Sequence, residues 1–99
     1  MAGTGGVALL QDPRPDDVRR ALQRVTLRWR QLPVDRADAL SATVRTFAAR
    51  CAELDPADIP ELGPATAVDQ LSVAVFDACA SGRSAHLSER LGELLAQLA

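Results

Sequence analysis

The sequence predicts an all-α protein, a small four-helix bundle, and three observations carry that prediction. Of 99 residues, eighteen are Ala and fourteen Leu, whereas Ile, Thr and aromatics are scarce, a balance that favours helix over strand in nearly every window. Apolar residues recur at spacings of three and four along several segments, the period of a one-sided helix. Prolines and glycines cluster where those segments stop.

Residues 1–11 (MAGTGGVALLQ) hold three Gly and no helical period. They read as a flexible tail, which leaves 12–99 as a single helical domain. In D-P-R-P-D-D, residues 12–17, Pro15 suits a first helical turn, and Asp16 and Asp17 suit the positive end of the helix dipole. A first helix then runs to about Leu32 with Val18, Leu22, Val25, Trp29 and Leu32 on one side. Pro33 ends it, and Asp35 is expected to cap a second helix from near Arg36. So short a turn requires an antiparallel helix 1/helix 2 hairpin. The second apolar row, Ala37, Leu40, Val44, Phe47, Cys51 and Leu54, is expected to face the first.

The stretch D-P-A-D-I-P-E-L-G-P, residues 55–64, is too rich in proline to continue a helix. It reads as a Pro-rich connector with one short helical turn at its start, pinned to the core by Ile59 and Leu62. Thr66 and Asp69 have the spacing of a capping box, so a third helix is expected from about Ala65 to Ala80. Val68, Leu71, Val73, Ala74, Val75, Phe76, Ala78 and Cys79 take up most of its circumference, the pattern of a central helix. Gly82 suits the left-handed position after it, and Ser84 is expected to cap a fourth helix carrying Leu87, Leu91, Leu94 and Leu98. The expected core unites Leu22, Val25, Trp29, Leu40, Val44, Phe47, Leu71, Val75, Phe76, Leu91 and Leu94.

Composition excludes several classes of function. A net charge of −2 is not that of a basic nucleic-acid binder, and 47% apolar residues exclude disorder throughout. Cys51 and Cys79 are isolated among apolar neighbours, without the spacing of a zinc site or a secreted disulfide scaffold, and read as buried packing residues. With no signal-peptide pattern and no run of about 20 apolar residues, a cytoplasmic location and no membrane contact are expected.

Groups that could perform catalysis are few. The single histidine, His86, falls in the expected first turn of helix 4 and reads as a surface residue. Asp69 and Asp77, eight residues apart, read as the solvent stripe of helix 3. No His-Glu metal pattern, phosphate loop or serine elbow occurs. The expectation is a protein that is not an enzyme, with no cofactor and no metal. L-G-P-A-T-A-V-D-Q-L, residues 62–71, resembles the acyl carrier motif L-G-x-D-S-L, but Gln70 stands where the attachment serine would follow Asp69. Trp29 resembles the turn tryptophan of WXG-type hairpins, but Arg30-Gln31 replaces the x-Gly that follows it there.

Charge distribution is the most distinctive signal. Residues 1–50 carry nine Arg and five acids, a net +4, and residues 51–99 carry two Arg and eight acids, a net −6. Helix 1 concentrates Arg19, Arg20, Arg24, Arg28 and Arg30 with no acid between them. Like charges four residues apart cost a few tenths of a kcal/mol per pair, so something outside the helix must favour them. Compensation by Asp69, Asp77, Glu89 or Glu93 is one account, and a docking face for an acidic partner is the other. The favoured reading is an interaction or assembly module whose partner is an acidic protein or a second copy, in a two-fold homodimer where Leu27 of helix 1 and Val73 of helix 3, each off its buried row, face the other chain. Nucleic-acid binding through phosphates by the same arginines ranks second, and carriage of an apolar small molecule near Trp29, Phe47 and Phe76 ranks third.

Overall fold

Proline sets the start of three of the four α-helices among the described residues. The computed structural model describes residues 12–99, so the expected tail, 1–11, lies outside the described residues. Before the first helix, the Asp12 carboxylate accepts bonds from the Arg14 guanidinium and backbone N–H, both at 2.9 Å. These bonds lower the Asp12 pKa to about 2. The turn's contribution is therefore complete above the ordinary carboxylate range and fades as the pH drops toward 2. Pro15 then precedes α1 (Asp16–Gln31), and Pro33 precedes α2 (Val34–Ala52). Helix α2 begins two residues before the expected start, because proline's fixed φ occupies the capping position, and Asp35 lies inside the first turn without capping it. Likewise α3 (Pro64–Ala80) begins with proline as its first residue after Gly63, so Thr66 is already helical and the expected capping box does not form. Helix α4 (Leu87–Gln97) starts at His86, whose φ is 59°, and no side chain caps it, contrary to the role expected of Ser84.

Helix directions follow from a few long-range bonds. Trp29, near the end of α1, donates its indole N–H to the carbonyl of Pro64, the first residue of α3, at 2.8 Å. The end of α1, and with it the start of α2, therefore lies beside the start of α3. At the opposite pole Cys51, Ala78 and Leu87 line one small cavity, which places the ends of α2 and α3 with the start of α4. Helices α2 and α3 are thus parallel, and α1 is antiparallel to both. Arg28 donates its Nε–H to the carbonyl of Leu98 at 3.0 Å, so α4 returns alongside α1.

The all-α four-helix architecture is as expected, with no strand among the described residues. The antiparallel α1/α2 hairpin is present, but its two apolar rows do not face one another. The closest approaches pair α2 with α3 and α1 with α4. The buried sides of α2 and α3 are lined by small residues, Ala37, Ser41 and Ala48 on one and Ala67, Ala74 and Ala78 on the other. Small side chains let two helix axes come together, and α1, with Leu22 and Trp29, meets the leucine row of α4 instead. Ser41, the one buried polar residue among the described residues, donates its hydroxyl to the Ala37 carbonyl at 2.9 Å.

Both ends of the parallel pair close with paired backbone bonds. After α2, Leu54 N–H reaches Ala49 O and Glu53 N–H reaches Arg50 O, and after α3, Arg83 N–H reaches Ala78 O and Gly82 N–H reaches Cys79 O. Gly82 takes the left-handed conformation in the second case, as expected, but Glu53 takes it in the first with φ 56°. From there the connector runs through the expected short turn, a 3-10 helix at Pro56–Asp58 with Asp55 accepting from the Ala57 N–H. Ile59 packs on the core, and Leu62, the second expected anchor, is exposed. Arg45 of α2 holds the connector down, with one guanidinium nitrogen 3.3 Å from the Ile59 carbonyl and another 2.9 Å from Glu61.

The core contains Leu22, Val25, Trp29, Val44, Leu71, Val75, Leu91 and Leu94 as expected, together with Leu87 and Leu98. Leu40 and Phe47 are half-buried, Phe47 beneath the Arg90 guanidinium at 5.5 Å. Phe76 is a correction, with 47% of its surface exposed, and Val73 and Leu54 are exposed as well. Helix α3 is therefore not central. One face is buried, and among the described residues no fifth element covers the other.

Two outcomes follow for stability. Leu91→Ala should cost about 2–5 kcal/mol and lower Tm by about 10 °C or more, whereas Phe76→Ala should cost about 1 kcal/mol or less. Equal losses in thermal melts would show that the outer face of α3 is covered. Glu53→Gly relieves a left-handed L-residue and should raise stability by about 0.5–1 kcal/mol, while Glu53→Ala, which gives no relief, should not. Chemical denaturation of the two variants side by side checks this.

Candidate functional site

Helix α1 buries Val18, Leu22, Val25 and Trp29 along one side. At about 3.6 residues per turn the opposite side carries Arg20, Arg24, Leu27 and Arg30, all exposed. Leu27, 59% exposed, sits three residues from Arg24 and three from Arg30, so an apolar patch is framed by guanidinium groups. Beside it a cleft of about 340 Å³ is lined by Arg14, Arg19, Gln23, Thr26, Leu27 and Arg30, with Ser72 of α3 on its far wall.

The five arginines named from sequence divide by role. Arg19 is paired with Asp16 one turn back. Arg28 is half-buried and holds the carbonyl of Leu98 at the carboxyl end of α4, where a cation also meets the negative end of the helix dipole. Arg36 of α2, which the sequence reading passed over, reaches the Ala99 carbonyl at 3.2 Å in the same place. Arg20, Arg24 and Arg30 have no ion-pair partner among the described residues, and residues 1–11 contain no acid. The acids expected to compensate them are placed elsewhere. Asp77 pairs with Arg83 at 3.2 Å, and Glu89 lies 3.8 Å from His86.

A second surface surrounds Val73, the residue of helix 3 expected to point away from the core toward a second copy. A groove of about 560 Å³ runs between the end of α2, the connector and α3. Its walls include Leu54, Ile59, Pro60 and Val73, and Asp58, Asp69 and Asp77 also line it. The sequence signal was the pairing of Val73 with two flanking acids on an otherwise apolar helix. A third cluster brings Arg50, Arg83 and Arg90 around a cavity of about 110 Å³ beside Cys51. It is internally balanced in part, since Arg83 meets Glu53 at 3.3 Å as well as Asp77, and Arg90 lies over Phe47.

Cys51 and Cys79 are free and buried, and burial pushes both thiols up, away from the reactive thiolate form. His86 is exposed at the start of α4. Among the described residues no three His, Cys, Asp or Glu side chains form a metal-binding set, and no helix is long and apolar enough to cross a membrane. The three aromatics occupy separate settings: Trp29 buried with its N–H satisfied, Phe47 half-covered and Phe76 exposed.

No protein-family model, curated protein or solved structure matches this chain. The split among the arginines is open to measurement. Arg28→Ala should lower stability by about 1 kcal/mol through loss of the α4 carbonyl contact, and Arg24→Ala should stay within about 0.5 kcal/mol of the parent. Denaturant midpoints that rank the two in the opposite order would contradict the assignment.

Proposed function

We propose that the protein is a non-enzymatic interaction module that docks an acidic protein partner through the exposed face of α1. The observation that carries this reading is the set of unpaired guanidinium groups, Arg20, Arg24 and Arg30, framing the exposed Leu27. Repelling cations on one helix face are destabilising alone and become favourable when carboxylates meet them. An apolar centre among arginines suits a protein surface, since interfaces combine an apolar core with a polar rim and are enriched in Arg. A phosphate backbone would use the cations and leave Leu27 without a partner. Arg19 and Arg28 are occupied within the chain, which narrows the docking set to Arg20, Arg24 and Arg30, with Leu27 added.

The test is affinity capture from a lysate of the encoding organism, with and without nuclease treatment, using the parent and Arg20→Glu/Arg24→Glu. Circular dichroism establishes that both are equally helical. Loss of specific proteins from the variant's capture is the expected result. Identical captured sets would refute the docking face, and a capture abolished by nuclease alone would replace it with nucleic-acid binding.

A further inference from the structure

The groove between the connector and α3 has the complementary chemistry to the α1 face. On α3, Asp69, Val73 and Asp77 follow one another at intervals of four, an acid, an apolar residue and an acid along about 12 Å of helix. On α1, Arg24, Leu27 and Arg30 follow at intervals of three, a cation, an apolar residue and a cation along about 9 Å. The reach of an arginine side chain covers the difference. Val73 is 70% exposed and Leu54 51%, so the groove presents an apolar floor, and Asp58 adds a third carboxylate from the connector. Neither Asp58 nor Asp69 has an ion-pair partner among the described residues. The two surfaces cannot meet within one chain, because the α1 face lies opposite the residues that helix buries.

We propose that this groove receives α1 of a second copy of the chain, with Leu27 seated against Val73 and Leu54 and with Arg20, Arg24 and Arg30 meeting Asp58, Asp69 and Asp77. The proposal rests on the reading of the α1 face as a docking surface and names its partner. A second copy is favoured over an unrelated protein because it satisfies the unpaired Arg20, Arg24 and Arg30 and the unpaired Asp58 and Asp69 at once, with Asp77 shared between Arg83 and the incoming helix. In a two-fold pair each patch is used twice, which doubles the area covered toward the roughly 1,600 Å² of a standard interface. The opposite net charges of the two halves of the chain bring the copies together in that orientation.

Analytical ultracentrifugation over a concentration series tests the proposal. The parent should reach twice its 10.5 kDa mass, and added salt should weaken the pair. Arg20→Glu/Arg24→Glu and Asp58→Arg/Asp69→Arg, each confirmed as helical, should each raise the dissociation constant at least about tenfold. Mixed together they should recover the dimer, because the reversed helix then faces the reversed groove while the native helix faces the native groove. A parent that stays monomeric, a dimer that survives either reversal, or a mixture that fails to recover would overturn self-docking. If the monomeric parent still captures a protein through Arg20 and Arg24, the α1 face stands and only the groove's occupant is refuted.

Discussion

Because α2 and α3 lie side by side and point the same way, the chain must travel back along α2 before α3 can begin. Helix α2 has 19 residues, about 28 Å. The 11 residues from Glu53 to Gly63 can span about 36 Å if fully extended, and somewhat less with three of them in a 3-10 turn. The connector is therefore close to taut, and its prolines suit an extended course better than a helical one. Its tether to Arg45 keeps it against the bundle flank. That path forms one wall of the apolar groove, so the same constraint that sets the topology also creates the second surface.

The parallel arrangement in turn depends on small side chains. Ala37, Ser41 and Ala48 on α2 and Ala67, Ala74 and Ala78 on α3 are all buried, and α2 and α3 make the most extensive helix contact among the described residues. The four leucines of α4, Leu87, Leu91, Leu94 and Leu98, fill the core on the α1 side. Arg28 and Arg36 then satisfy carbonyls at the far end of α4, tying α1 and α2 to the last helix. Arg28, Arg36 and Arg45 thus act as internal fastenings, whereas Arg20, Arg24 and Arg30 stay outside.

Where one face of a helix is clearly apolar, its role is readable from spacing. Val18, Leu22, Val25 and Trp29 on α1, and the four leucines of α4, are buried as their intervals indicate. On α3 spacing sets Val73 apart from the Leu71 and Val75 side, but Phe76, adjacent to Val75 and as apolar, carries no sign in the sequence that it is left uncovered. The capping roles of Asp35 and Thr66 were misread for a local reason: an adjacent proline fixes the helix start more strongly than a polar side chain draws it. Helix pairing was hidden as well, although the alanine rows on α2 and α3 were a visible sign of close approach. At the candidate site the positive charge of α1 is plain in the sequence. That Arg28 is consumed internally is not, because its acceptor lies seventy residues away.

The joint between the two helix pairs carries its own optical probe. Trp29 is the only tryptophan, and the chain has no tyrosine, so ultraviolet emission excited in the indole band comes from one residue. That indole is 6% exposed and bonded to the Pro64 carbonyl, where the end of α1 meets the start of α3. Parting of α1 and α4 from α2 and α3 would wet the ring and shift its emission to the red while each pair kept its helices. Fluorescence therefore reports the seam between pairs, and far-ultraviolet dichroism reports the helices themselves. A gap between the two transitions measures how far the halves of the bundle unfold as separate units.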